Sequence, residues 1–421
     1  MHLMTECMRW FGPEDPVPLS FIRQSGAAGI FTSLHQIPYG EIWPLDAILQ
    51  HQRAIDAAGL VWTVVESLPV HEDIKTGRGD LSRLFDNYTT SLRNLATAGI
   101  RTVVYNFMPV LDWVRTDMRW PLPDGSCSMH FDPVRLAAFE IHALNRDGAK
   151  DDYSTEQIRQ AGHWWKQLAE EDKEVFVRSI IDVFPGVKWS LSLNDIREML
   201  APYEGIDEAV LRANLARFLE AILPTAEELG IRLAIHPDDP PFPVLGLPRI
   251  VSTATHIAEI FDIADSPSNG LCFCTGSFGS RIDNDLCAMV SRFGSRIHAA
   301  HLRSTRLLPD DCFLEAGHLA GSFDMAAVVH ALLDELDTRR SSGAEEWQIP
   351  LRPDHGHIMM DDLGKPEGIT PGYPAIGRMR GLAELRGVMH GLRHRIEKAP
   401  NKCTATPSLP PEVFPRVHRH P

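Results

Sequence analysis

The hydrophobic pattern of the chain repeats one junction: an amphipathic helix, a glycine able to take the left-handed conformation at the helix end, then a short apolar strand. Ala27-Ala28-Gly29 leads into IFTSLH, Ala57-Ala58-Gly59 into LVWTVVES, Thr97-Ala98-Gly99 into IRTVVYNF, Glu228-Leu229-Gly230 into IRLAIHP, and Arg292-Phe293-Gly294 into SRIHAAHLR. The strand segments are rich in Val and Ile and nearly continuous in apolar character, the pattern of parallel strands covered on both faces. Helices alternating with such strands form βαβ units. Adding ECMRWFG near the start, LCFCTGS at 271–277 and WQIPLRPDHG at 347–356 gives eight strands, the number that closes an α/β (β/α)8 barrel of the TIM type. The alternative is an open doubly wound sheet. Against it, no strand runs into a G-x-G-x-x-G turn, and polar residues gather after many strands instead of at one switch point.

The stretch from about 135 to 230 is far longer than a normal connection between consecutive strands. Its residues are helix formers: YSTEQIRQAGHWWKQLAEEDKEVFVRSII, then SLNDIREML, then a helix from Asp207 to Glu228 in which Leu211, Leu215, Phe218, Leu219, Ile222 and Leu229 follow the spacing of a core-facing stripe. The pattern predicts one barrel domain over 1–397 that includes a helical insertion capping one side of the mouth. From 398 to 421 the chain is proline-rich and aperiodic, and reads as a flexible tail.

Composition narrows the function classes. Fifty-six acidic against 41 basic side chains leave a formal charge of −15, with no Lys/Arg stripe to recruit a phosphate backbone, so nucleic acid is excluded as a partner. The start, MHLMTECMRWFG, has no basic and apolar leader, and no run of about 18 apolar residues occurs. A cytoplasmic protein that does not enter a membrane is expected. Seven scattered cysteines, an odd number, argue for reduced thiols over a disulfide framework.

In a parallel barrel the reactive groups sit at the C-terminal ends of the strands. Four successive strands run into His236-Pro237-Asp238-Asp239, Cys274-Thr275-Gly276, His301-Leu302-Arg303 and Arg352-Pro353-Asp354-His355-Gly356-His357. Imidazole, thiolate, imidazole and carboxylate together suit a borderline divalent ion such as Mn²⁺, Fe²⁺, Co²⁺ or Zn²⁺ in a catalytic site. Each group alone has an ordinary structural role: a hydrogen-bonded histidine, a small buried thiol, an Asp capping a turn. Their joint placement at four strand ends is what independent structural roles would not produce.

The chain resembles the mannonate dehydratase family from its first strand to about residue 393, through RWFGPEDPVPLSFIRQSGAAGI, TSLHQIPYGEIW, YNFMPVLDWVRTDM, IHPDDPPFPVLGLPRIVST, FCTGSFGSRIDNDL, HLRSTR, RPDHGHIMMDDL and PGYPAIGRMRGLAELRG. The resemblance implies a barrel like that of xylose isomerase and a hydro-lyase that converts D-mannonate to 2-keto-3-deoxy-D-gluconate in hexuronate (glucuronate) catabolism, with one Mn²⁺ or Fe²⁺. It implies metal ligands at His236, Cys274, His301 and Asp354, and catalytic roles for His355 and for Tyr373 in PGYPAIG, which residue pattern alone would leave as a turn. Cys272 shares a strand face with Cys274, and His298 stands near His301; the motif match favours Cys274 and His301.

Dehydration needs a base for the C2 proton and an acid for the departing C3 hydroxyl. His355 and Tyr373 are the candidate pair, with the direction of transfer open. Arg303 and Arg352 are candidates for the substrate carboxylate, with ion pairs to neighbouring acids as the equal alternative. Asn106, Asp238 and His357 are candidates for sugar hydroxyls. His35 is a further candidate contact, although Gln36 follows it where many relatives of the family are expected to carry a second His. The competing readings are a metal-dependent sugar isomerase or epimerase, and a sugar-acid binding protein without turnover. A homodimer is the default assembly.

Overall fold

In the computed structural model, which describes residues 2–182, 191–365 and 370–398, the strands in chain order are β1 (Thr5–Arg9), β2 (Gly29–Thr32), β3 (Val61–Glu66), β4 (Thr102–Tyr105), β5 (Asp117–Pro121), β6 (Cys127–Phe131), β7 (Arg232–Ile235), β8 (Asn269–Cys274), β9 (Ile297–His301), β10 (Ser304–Leu307), β11 (Phe313–Ala316) and β12 (Pro350–Arg352). Eight of them close a barrel in the order β1-β2-β3-β4-β7-β8-β9-β12. All neighbours in it are parallel. The seam is β1 against β12, with Thr5 opposite Pro350 and Glu6 opposite Leu351. These are the eight strands the hydrophobic pattern predicts, and the open-sheet alternative falls away.

The glycine junctions hold for different reasons. Gly59, Gly99 and Gly230 take positive φ, as a left-handed helix end requires. Before β2 the left-handed residue is Gly26, with φ 86°. Gly29 is instead a matter of space: a Cβ there would lie 2.2 Å from Thr63 Oγ1 and 2.5 Å from Cys7 Sγ. Gly294 lies in the right-handed region, φ −47°.

A second sheet, absent from the hydrophobic reading, orders its strands β10-β11-β6-β5, all antiparallel. β10 begins three residues after β9 ends, so this sheet grows directly out of the barrel mouth. β5 and β6 form a hairpin turned at Asp124-Gly125, where Leu122 N–H donates to Ser126 O at 2.8 Å. With the helices Thr155–Gln167, Glu170–Ile181 and Leu193–Leu200, the sheet surrounds its own core of Phe131, Phe139, Phe176, Ile180, Ile196 and Phe313. The helix Glu208–Glu228 is different. Its stripe of Leu211, Leu215, Phe218, Leu219 and Ile222 belongs to the barrel core, so it is a crossover helix of the barrel and not part of the cap. Apart from Lys398, the tail expected over 398–421 lies outside the described residues. Among the described residues no helix is long and apolar enough to cross a membrane.

The last helix, Ala375–Lys398, closes the structure around the seam. Arg378 Nη1 donates to Arg9 O at 2.7 Å, and Arg393 Nε donates to His2 O at 2.9 Å. Its first turn meets the loop after β12 through two glycines. A Cβ on Gly377 would lie 2.1 Å from His357 O, and one on Gly356 would lie 2.5 Å from Gly377 C. Backbone cannot retreat as a flexible side chain would, so Gly377→Ala is expected to cost about 1–3 kcal/mol of stability in denaturant unfolding, the usual range for overpacking. A variant as stable as the parent would show that the contact is not tight.

Candidate metal centre and active site

Strand side chains alternate with period two, so an inward residue is followed two positions later by another. Cys7, Phe31, Val64, Val104, Ala234, Cys272 and Ala299 form a fully buried layer inside the barrel. Two residues further along each strand come Arg9, Ser33, Glu66, Asn106, His236, Cys274 and His301. A buried apolar floor is thus overlaid by a polar ring at the C-terminal ends. The same count separates the paired candidates. Cys272 belongs to the floor, where burial and then Glu66 push its thiol well above the usual range. His298 points away, its ring nitrogen 3.0 Å from Pro267 O.

His236, Cys274 and His301 bring their donor atoms within 4.8 Å of one another. His236 Nε2 faces His301 Nδ1 at 3.1 Å. Asp354 adds an oxygen 3.8 Å from Cys274 Sγ and 3.9 Å from His301 Nδ1, from a backbone position with φ 61°. Burial lowers the His236 pKa, keeping the imidazole neutral and its lone pair available. Two nitrogens, a sulfur and an oxygen converging this way fit a divalent cation with open positions for a ligand.

The orientation of His301 is set from behind. Its Nε2 lies 3.3 Å from Glu66 Oε1 and 3.2 Å from Cys272 Sγ. Glu66 is an ionised acceptor: burial would raise its pKa, but Arg352 and His301 outweigh that and hold it well below the carboxylate range. The His301 proton therefore resides on Nε2, and Nδ1 presents its lone pair to His236 and Asp354. Arg352 grips both Glu66 oxygens, at 2.9 and 2.7 Å, and with its other nitrogen binds Asp354.

Beyond Asp354 the ion pairs continue. Arg303 binds Asp239, Glu315 at 2.5 Å and Asp354 at 2.8 Å. Arg115 binds Asp239 at 2.7 Å and Glu315 at 2.7 Å. Glu315, from β11 of the cap sheet, then lies 3.1 Å from His355 Nδ1. Tyr373 packs edge-on against His355, ring centres 5.1 Å apart, and its hydroxyl donates to Asp354 Oδ1 at 3.2 Å. Burial, with Asp354 adding to it, pushes the phenol pKa up, so Tyr373 keeps its proton.

Part of this arrangement faces a cavity of about 200 Å³, with Cys274 and His301 set behind its lining. His236, Asp354, His355 and Tyr373 line it, as do Asn106, His35 and Arg352 among the candidate substrate contacts. Arg303 and Arg352 are both in the ion-paired alternative, and Arg303 does not reach the cavity. Asp238 turns away to accept from Val251 N–H and Ser252 Oγ, both at 2.7 Å, and His357 is spent on Glu315 O at 2.9 Å. Arg9, Phe11, Glu66, Ser67, Asp112, Trp113, Asp239 and Thr370 complete the lining without having been anticipated. Arg9 and Glu66 stand at strand ends, where the positional rule finds them; Glu315 comes from a sheet with no such signal.

A parallel eight-stranded barrel whose strand ends offer a candidate cation site beside a His–Tyr pair defines a class, the barrel enzymes that act on small polar molecules in a metal-assisted site. The family model for D-mannonate dehydratase (UxuA) matches residues 4–399, and the chain belongs to that family. It is 52% identical over 386 residues to a mannonate dehydratase of Chromohalobacter salexigens, covering 91% of this chain and 98% of that protein. To one of a Marinomonas species it is 51% identical over 394 residues, with 93% and 100% covered. The crystal structure of mannonate dehydratase from Streptococcus suis superposes with a TM-score of 0.71 at 34% identity, covering 97% and 100%.

Glu66→Gln removes the acceptor that fixes the His301 proton. Its affinity for Mn²⁺, measured by direct titration, should fall about 10- to 100-fold, the usual effect of losing a group that orients a metal ligand. Unchanged affinity would detach Glu66 from the metal centre.

Proposed function

We propose that this chain carries out the metal-dependent dehydration of D-mannonate to 2-keto-3-deoxy-D-gluconate and water. One observation carries the reading: a cluster of His236, Cys274 and His301 opens through His236 onto a cavity that Asp354, His355 and Tyr373 also line, in a chain half identical to mannonate dehydratases along nearly their full length. His236, Cys274, His301 and Asp354 would hold one Mn²⁺ or Fe²⁺, which when bound supplies Lewis acidity against the negative charge that develops on substrate oxygen.

The protein's own groups divide the proton transfers. Glu315 can only accept, so its contact with His355 Nδ1 keeps a proton there and leaves Nε2 as the base. His355 Nε2 takes the C2 proton; the electron pair forms the C2–C3 double bond; the C3 hydroxyl departs as water with the Tyr373 proton. The resulting enol becomes the 2-keto acid when C3 takes up a proton and the C2 hydroxyl gives one up. Trp113 and Phe11, whose ring centres lie 5.9 Å from His355 and 4.9 Å from Tyr373, narrow water access to the pair. The reading extends to a homodimer, to residues 1–397 as one domain with a tail, and to hexuronate breakdown in the cytoplasm.

D-mannonate with Mn²⁺ should yield a product lighter by one water, and chelator should abolish it; a product of unchanged mass would make the enzyme an isomerase or epimerase. His355→Gln and Tyr373→Phe should keep their metal and lose about 10²- to 10⁴-fold in kcat, the span of general acid–base catalysis. Normal turnover in either removes that residue from the scheme. His236→Ala and Cys274→Ala should emerge without bound metal in elemental analysis; full occupancy would refute the ligand set.

A further inference from the structure

A sugar acid brings a negative charge into a cavity already rimmed by Glu66, Asp112, Asp239 and Asp354. Such a charge needs a cation facing it when it leaves water. The arginines at the barrel mouth differ in how far they are already engaged. Arg352, Arg303 and Arg115 each bind two or three carboxylates. Arg9 is only 8% exposed and lines the cavity, yet no carboxylate among the described residues reaches ion-pairing distance of it. Its Nη2 meets His35 Nε2 at 3.2 Å, and its guanidinium lies 4.8 Å from the centre of the Phe11 ring. Its Nη1 is buried with no hydrogen-bond partner among the described residues.

We infer that Arg9 binds the substrate carboxylate and is the residue by which this site selects sugar acids over neutral sugars. The guanidinium is held ready for this: it lies over the Phe11 ring, His35 meets one nitrogen, and Arg378 anchors the Arg9 backbone carbonyl. Guanidinium offers a carboxylate two parallel N–H bonds, a geometry that an ammonium cannot copy. Position agrees with the chemistry. Dehydration acts on the two carbons next to the carboxylate, and Phe11 touches both Arg9 and Tyr373, with ring centres 4.9 Å apart in the second contact. As C2 loses its proton, negative charge spreads onto the carboxylate oxygens, so Arg9 holds the transition state more tightly than the ground state.

The inference rests on the dehydratase reading for the identity of the acid, and the test separates the two. In holoenzyme carrying His355→Gln, which slows consumption of the ligand, calorimetry compares D-mannonate with D-mannitol, its neutral counterpart. Adding Arg9→Met should weaken D-mannonate by about 100-fold, the effect of removing one partner of a buried charged pair. D-mannitol binding and metal content should stay unchanged. In an otherwise unaltered enzyme the same change should raise KM and also lower kcat. Equal losses for acid and alcohol, or no loss for the acid, would overturn the assignment. Should Arg9→Met fail to fold, Arg9→Lys decides: it keeps the charge without the fork, and should lose about 10-fold for the acid only. If the unaltered enzyme forms no keto-deoxy acid but shows an acid preference that vanishes with Arg9, the dehydratase reading falls and the role of Arg9 stands.

Discussion

The site depends on the period-two alternation of strands that are closed in register around a barrel. Seven of the eight strands spend one inward residue on the apolar floor and the next on the polar ring above it. A slip of one residue would turn the ring residue of that strand toward the surrounding helices. Closure forbids the slip, because the register at one strand is tied through its neighbours all the way back to itself. The candidate cation site is therefore a consequence of barrel geometry more than of any local motif: three of its candidate groups come from the ends of neighbouring strands and the fourth from just beyond β12.

Over that frame lies a chain of buried ion pairs in which three guanidiniums, Arg115, Arg303 and Arg352, join four carboxylates, Glu66, Asp239, Glu315 and Asp354. Buried pairs recover little more than the cost of desolvating them, so this chain is poorly explained as a source of stability. Its product is position. It runs from the group behind His301, through Asp354, to the group behind His355, and it crosses from the barrel to the cap sheet at Glu315. The cap is thus tied to the candidate site through Glu315.

The eight barrel strands and the candidate ligands were legible because each strand is a run of apolar residues that ends abruptly in polar ones. The cap sheet was not: β5 is half-exposed, and β10 and β11 have four residues each, too short for alternation to stand out. The two roles left open for Arg303 and Arg352 could not be separated along the chain, since the partners that decide them are distant; Glu66 stands 286 residues from Arg352. Arg9 and Glu66 satisfy the strand-end rule, yet a lone guanidinium or glutamate carries no signature of a metal site. Tyr373 was reached only through family resemblance. Its place beside His355 is made by a helix start pressed against a loop through two glycines, a contact with no periodic signal.

The seam between β1 and β12 has a bearing on synthesis. The ribosome delivers Arg9 first and the strand that β1 must pair with more than three hundred residues later. Throughout that interval β1 has one sheet edge without its final partner, and the ring of side chains at the mouth is incomplete. Early segments can collapse as they emerge, but the four candidate donors cannot come together until the β12 segment and Asp354 beyond it have left the exit tunnel. A nascent chain stalled before that point would be an open sheet with an exposed edge, the form most prone to pair with another copy of itself.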